Sequence, residues 1–441
     1  MNKQILRLAI PFIISNITVP IVSSVDTALM GNYASLTHLG AIGLGSAIFN
    51  FLYWNFAFIR MSTVGMTAQE SGRKNHDEIA TLLGRSLFIA TIGAFILLIF
   101  QIPICKLIFL ITKGDINTEI YAKEYFFVRI WAAPATIGLM ALTGWFIGLQ
   151  NAKTPMFIAL LVNVVNISLS ILFVTIFNMN SKGVALGTVI GQYCGLALGV
   201  IVLLKKYREY TIKLNLNRIL ELRKYKKFFS VNIDIFIRTL AVILVLTSYN
   251  LVSAKKGETI LGINVIFLQL VFAFSFFTDG FANAAESLIG NYFGAGNKEK
   301  LKTVVRFLFY WGVAIALIFT FLYIFAWESI ISIFTKNPDI LAVSKKYNIW
   351  IIVFPLVSIL TFIWDGVFLG ATATSEMRNA TILAALLFFT IYLIFDSRIG
   401  NHALLIAQLV FFGMRGILQT FYYKPAILER NLNLKLYDSI L

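Results

Sequence analysis

Apolar residues arrive in long runs, each about 20 residues or more, separated by short polar stretches. A run of that length crosses a ~30 Å hydrocarbon layer as a helix. Twelve such spans are legible, six in each half: 7–30, 40–66, 81–111, 124–149, 156–178 and 184–204, then 228–253, 260–290, 302–326, 343–370, 378–396 and 402–423. The pattern predicts an all-α integral membrane protein. A polar, basic stretch at 205–227 divides the chain into a six-helix lobe (1–204), a linker and a second six-helix lobe with a short tail (228–441).

The two halves repeat. At an offset of 222 residues, Gly144-Trp-Phe-Ile-Gly148 falls on Gly366-Val-Phe-Leu-Gly370, Leu39-Gly40 on Leu261-Gly262, and Tyr125 on Tyr347. Gln69-x-x-Gly72-x-x-Asn75 falls on Asn291-x-x-Gly294-x-x-Asn297, and Pro134 and Pro355 agree within one residue. Six spans is an even number, so both halves enter the membrane in the same sense. The repeats are parallel, related by an axis along the membrane normal, a recurrent construction in secondary transporters. The two Gly-x-x-x-Gly pairs are read as close helix-packing surfaces.

Composition agrees: 59% hydrophobic and 13% charged, with mean hydropathy +0.82. The net charge of +16 points to anionic headgroups rather than to nucleic acid, because of where it lies. Lys205, Lys206, Arg208, Lys213, Arg218, Arg223, Lys224, Lys226 and Lys227 crowd the linker against Glu209 and Glu221. That excess marks a cytoplasmic loop. Parity then puts the loops at 72–85 and 297–306, and both termini, on the same side of a cytoplasmic (inner) membrane. The linker's Leu214, Leu216, Ile219, Leu220 and Leu222 alternate with basic residues, as in an amphipathic segment on the membrane surface. The first apolar run continues to Met30 without a small-residue cleavage site, so it is expected to stay as the first span.

Cys105 and Cys194 lie at apolar positions without metal or disulfide spacing. His38, His76 and His402 fall in loops or at a span edge, where solvated or interfacial roles are expected. No nucleophile elbow, phosphate-binding lysine loop, Cys/His cluster or potassium-filter segment occurs in the chain. The expectation is a non-enzymatic protein without a cofactor or firm metal site, working as a monomer. The aromatic residues, with Trp54, Trp131, Trp145, Trp350 and Trp364 among them, are expected mostly in core or against lipid.

Acids within the spans carry the candidate chemistry, since a carboxylate at a helix centre costs ~2.5–3.5 kcal/mol even on mild scales. Asp26 is the foremost. No Lys or Arg lies within a helical turn of it in sequence, and a lone carboxylate in low dielectric can take up and release a proton. Pro20, six residues earlier, removes a backbone hydrogen bond and offers a hinge. On span 5, Asn163, Asn166 and Ser170 share one helix face, and Thr188 on span 6 can join them in a polar first-lobe cavity. Interhelical hydrogen bonding alone explains the same stripe equally well. Second-lobe candidates are Asp234, expected to pair with Arg238 at i, i+4, Asp279 and Glu286 on one face of span 8, and Asp365.

With these residues in hand, the chain resembles the multidrug and toxic compound extrusion (MATE) family, and within it the DNA-damage-inducible DinF branch. The resemblance rests on Leu8-Ala-Ile-Pro11 with Val25-Asp26-Thr27, on 58–69, on Asn232-Ile-Asp-Ile-Phe-Ile-Arg-Thr239, on Asp279-Gly-Phe-Ala with Glu286 and Phe293-Gly-Ala-Gly-Asn297, and on 365–372 with Glu376-Met-Arg-Asn379. It implies a cation-coupled antiporter that exports amphipathic, often cationic, compounds by alternating access of two lobes. It implies a proton or sodium site at Asp26, with Asn166 and Thr188 as polar partners. Several members carry an aspartate four residues after that asparagine, where this chain has Ser170. A single-acid site favours the proton, because sodium wants more oxygens and charge. Two other expectations compete. A lipid-linked precursor flippase of the same superfamily needs a basic cavity, against which stands the scarcity of intramembrane cations beyond Arg60, Arg129 and Arg238. A non-transporting membrane sensor or scaffold predicts no solute flux.

Overall fold

A computed structural model describes residues 1–33, 35–111 and 115–431. Twelve helices in it are long and apolar enough to cross a membrane: α1 (Asn2–Tyr33), α2 (Thr37–Gly72), α3 (His76–Ile99), α4 (Ile116–Gly148), α5 (Lys153–Thr175), α6 (Asn180–Lys206), α7 (Phe228–Lys255), α8 (Glu258–Gly294), α9 (Lys298–Phe325), α10 (Pro338–Gly370), α11 (Thr374–Ile399) and α12 (Asn401–Glu429). No strand occurs among the described residues. The helices outrun the apolar runs at their ends because Asn75, Asn297 and Asn337 cap α3, α9 and α10 with side-chain acceptors, adding polar first turns. A turn at 55–56 interrupts α2, and a 3-10 turn over Ile130–Ala132 interrupts α4 just before Pro134. Both Pro11 and Pro20 lie within the unbroken helix of α1.

The chain forms two compact units, Ile14–Lys226 and Met1–Ile13 with Lys227–Leu441. They differ from the 1–204/205–227/228–441 division at both ends. The first thirteen residues join the second unit because the small residues of α8 admit them. A Cβ on Gly280 would lie 3.0 Å from the Ala9 carbonyl, and Trp311 donates its indole N–H to Asn2 at 3.2 Å. The linker joins the first unit through short helices, Arg208–Ile212 and Leu216–Ile219, that bury Tyr210 and Ile219 against α3. Tyr210 Oη meets His76 Nδ1 at 3.1 Å, and Arg85 Nη2 donates to the Arg218 carbonyl at 3.0 Å. The amphipathic reading of the linker thus resolves into a segment whose apolar side chains divide. Ile219 packs inward, while Ile212 and Leu216 remain exposed.

Within each unit the repeat recurs as contacts. Gly144 and Gly148 on α4 face α2, where added Cβ atoms would lie 2.7 Å from the Arg60 carbonyl oxygen and 2.9 Å from that of Val64. Gly366 and Gly370 on α10 face α8 in the same register, over Ala282 and, at 2.6 Å, the Glu286 carbonyl oxygen. Between apolar lipid tails, helices associate through such close packing and through interhelical hydrogen bonds. A further glycine row on α6 (183, 187, 191, 195 and 199) brings that helix onto α5; a Cβ on Gly191 would stand 2.9 Å from the Val162 carbonyl. The row is visible in the sequence at a strict four-residue spacing.

Aromatic residues divide as expected between core and periphery. Trp145 and Trp364 are buried, the former donating to the Ile79 carbonyl at 2.9 Å, whereas Trp54 and Trp131 are exposed. The histidines are more engaged than solvated loop residues would be. His38 reaches Ser181 at 3.2 Å and His402 accepts from the Trp350 indole at 2.9 Å. Both cysteines are free thiols.

Candidate functional site

In the first unit, the last third of α1 carries Asp26, which is 9% exposed. Its Oδ1 is buried and accepts no hydrogen bond, and no cation lies within 4 Å of the carboxylate among the described residues. Ser170 lies beside it. The Ser170 hydroxyl donates to Asn166 Oδ1 at 3.3 Å, and Asn166 Nδ2 reaches Thr188 Oγ1 at 2.9 Å. Thr188 in turn donates to the Val184 carbonyl at 3.0 Å. Close approach of α5 and α6 makes this chain possible, since at Gly187 a Cβ would come within 2.9 Å of Ser170 Oγ. The expected polar partners Asn166, Ser170 and Thr188 therefore form one connected line leading to Asp26. Asn163 departs from it. Its amide donates to Thr18 Oγ1 at 2.6 Å, two turns back along α1, tying α5 to the earlier part of that helix.

Asp26 is isolated in sequence, yet a charge from α4 acts on it. Arg129 is its charged neighbour, and the influence is mutual. The guanidinium lies over the rings of Phe49 and Tyr125, at 5.3 and 5.4 Å from their centroids, and donates to Tyr125 Oη. Helical spacing from Asp26 cannot reveal a partner a hundred residues away; the only available signal is an unexplained arginine within an apolar span.

In the second unit the acids have different surroundings. Asp234 does not pair with Arg238 four residues on. It accepts from Arg378 at 2.5 Å and from Thr374 Oγ1 at 3.0 Å, both at the start of α11. Arg238 instead meets Asp365 on α10, which also accepts from Arg415 Nη2 at 2.6 Å and Gln419 Nε2 at 2.8 Å on α12. Two buried neighbouring groups with better partners on other helices override an exposed-helix rule for i, i+4 pairs. Arg415, 2% exposed, is an intramembrane cation the span-by-span reading passes over. Glu286 is buried beneath Gly370 and Asp279 is half-buried, with Asn283 donating to the Asp279 carbonyl at 2.8 Å. Asp234 and Asp365 thus have separate arginine partners. No group of three or more His, Cys, Asp or Glu side chains suited to a metal occurs among the described residues.

Comparison with known proteins matches this architecture. The MatE family model matches twice, over residues 11–172 and 235–394, once in each repeat. The DNA damage-inducible protein F of Escherichia coli is 32% identical over 94% of this chain and 90% of its own length. A probable multidrug resistance protein NorM of Thermotoga maritima is 26% identical, covering 78% of this chain and 74% of the relative. A crystal structure of MATE in the bent conformation superposes with a TM-score of 0.87 at 18% identity, over 99% of this chain and 97% of the other.

Proposed function

This chain belongs to the MATE family of membrane transporters, and from that membership we propose that it is a proton-coupled antiporter exporting amphipathic or cationic organic compounds. One observation carries the choice of site. Asp234 and Asp365 are each held by arginines, whereas Asp26 has a buried oxygen that no donor occupies; Glu286 Oε2 is buried likewise, but it is to Asp26 that the line of Thr188, Asn166 and Ser170 leads. An acid clamped in a buried ion pair gives up that pairing at a cost of several kcal/mol when protonated. An acid with an unused lone pair takes a proton without breaking a contact. In the cycle, protonation of Asp26 from outside releases its demand for polar neighbours, α1 rearranges with Pro20 as hinge, and substrate leaves. Deprotonation towards the cytoplasm resets the lobe.

Sodium at Asp26 is the weaker reading. The nearby oxygens of Asn166, Ser170 and Thr188 are committed to one another, and hard cations want several oxygens and net negative charge. The flippase reading loses support in the second unit, where Arg238 and Arg415 are engaged by Asp365 rather than offered to a pyrophosphate. The basic linker supports a cytoplasmic-membrane location with both termini inside, and the reading of the chain as a monomer belongs to the same proposal.

The test is flux of a fluorescent organic cation in proteoliposomes under an imposed pH gradient, and under a sodium gradient alone. Proton-driven flux lost in Asp26→Asn supports the proposal. Flux that requires sodium, or that survives the substitution, refutes it, and no flux under either gradient favours the flippase or the scaffold.

A further inference from the structure

Arg129 is the one element of the first-unit site that the transport cycle above does not use. An arginine in a transmembrane helix is expensive and is normally ion-paired. Among the described residues Arg129 forms no ion pair within 4 Å. It is held instead by the faces of Phe49 and Tyr125 and by Tyr125 Oη, and its Nε is buried without an acceptor. Phe49 and Tyr125 are both fully buried, so the cage is part of the core. The titratable groups whose charge acts on the guanidinium are Asp26 from α1, Tyr53 from α2 and Tyr125 from its own helix. Asp26 is the single acid among them. The positive charge is thus anchored by rings and left electrostatically available to Asp26.

We infer that Arg129 is the fixed counter-charge of the Asp26 site, a positioning residue that reserves Asp26 for a proton and keeps a metal cation out. The inference rests on the reading of Asp26 as the coupling acid. With Asp26 ionised, carboxylate and guanidinium together are neutral. A sodium ion entering there meets no net attraction and finds oxygens already bonded to each other, whereas a proton needs only the unused Oδ1 lone pair. Protonation then leaves the caged guanidinium uncompensated, and a cationic solute held near it is repelled. Loss of the proton restores neutrality and readmits the cation. The same arginine therefore gives proton uptake an electrostatic consequence for substrate.

The test compares the wild-type chain with Arg129→Gln and Arg129→Lys in proteoliposomes, each under a pH gradient and under a sodium gradient. The expected result is sodium-driven flux in Arg129→Gln at least about tenfold above wild type, the scale of one unit charge removed at intermediate dielectric, with Arg129→Lys keeping the wild-type preference. A structural role predicts equal loss under both gradients and no change of preference. If Arg129→Gln carries no flux, equilibrium binding of radioactive sodium to purified Arg129→Gln and Arg129→Met decides. Sodium binding that appears in these and vanishes on adding Asp26→Asn supports the inference, and its absence overturns it. Unchanged ion preference in Arg129→Gln alongside lost proton-driven flux in Asp26→Asn overturns the role of Arg129 and leaves the Asp26 reading standing. Sodium-driven flux in the wild-type chain overturns the Asp26 reading itself.

Discussion

Gly366 on α10 lies so close over Ala282 on α8 that a Cβ added at Gly366 would overlap the Ala282 carbonyl oxygen. Backbone is what it would strike, and backbone in the middle of a packed helix cannot swing aside. The repeat-related pair, Gly144 over the Arg60 carbonyl at 2.7 Å, has the same constraint. Gly366→Ala and Gly144→Ala should each cost about 1–3 kcal/mol, as overpacking of a tight contact does, and lower the melting temperature in detergent. Gly43 is the control. A Cβ there meets nothing within 4 Å, so Gly43→Ala should raise stability by about 0.5–1 kcal/mol through helix propensity alone. Equal melting of Gly366→Ala and wild type would remove close packing as the reason for the paired glycines.

A second consequence of the repeat concerns Lys74. α2 and α8 end in the same motif. Lys74 N–H donates to the Ser71 carbonyl and Asn75 N–H to that of Glu70, as Gly296 does to Phe293 and Asn297 to Tyr292. The motif demands a left-handed residue, with φ of 59° at Lys74 and 63° at Gly296. Glycine adopts that conformation freely and lysine does not. Lys74→Gly should therefore stabilise the protein by about 0.5–1 kcal/mol, and Gly296→Lys should destabilise it by about 1–2 kcal/mol, both measured by thermal shift.

Much of the fold is legible in the sequence because apolar length and a constant offset are local and periodic signals. The twelve spans and the contact register of Gly144 and Gly366 follow from them directly. What escapes is the pairing of charges between helices. Asp234 and Arg238 share a helix face, yet Asp234 goes to Arg378 and Arg238 to Asp365, because low dielectric rewards the best-satisfied geometry over the nearest neighbour in sequence. Asp26 is singled out in the sequence by its isolation within an apolar run, but the same isolation conceals Arg129, whose charge acts on it from α4. The placement of residues 1–13 in the second unit is hidden for a similar reason: it depends on what Gly280 leaves open beneath Ala9.

The linker should behave as part of the first unit rather than as a free tether. Lys213 and Arg218 meet Asp77 at 3.0 and 3.5 Å, Arg85 lies over the Tyr225 ring at 5.8 Å, and a Cβ on Gly84 would press on Ile219. Tyr210→Ala and Ile219→Ala should expose the chain to trypsin after Lys213 and Arg218 severalfold faster than wild type, at unchanged helix content. Burial, then the charge of Glu209, pushes the Tyr210 hydroxyl above its ordinary pKa of 10.0. A raised folded pKa means a contribution fully present below pH 10 and lost as pH climbs through the folded value. Protection of the linker should accordingly hold from neutral pH to about 10 and fall above it, as followed by cleavage with an alkali-tolerant protease.

Asp26 and Asp365 should separate function from stability. Asparagine at 26 keeps the shape of the side chain and breaks no ion pair, so Asp26→Asn should melt within about 1 kcal/mol of wild type while losing proton-driven flux. Asparagine at 365 leaves Arg238 and Arg415 buried without their acid, a cost of about 3–5 kcal/mol, and should give low yield and early melting. Removing one of those cations as well, in Asp365→Asn with Arg415→Gln, returns the net charge of the cluster to its wild-type value and should restore part of the lost stability. The pair of measurements, thermal shift and flux, decides between the lobes. An Asp365→Asn chain that melts with wild type yet carries no flux would move the coupling acid to α10, whereas a stable, inactive Asp26→Asn chain keeps it on α1.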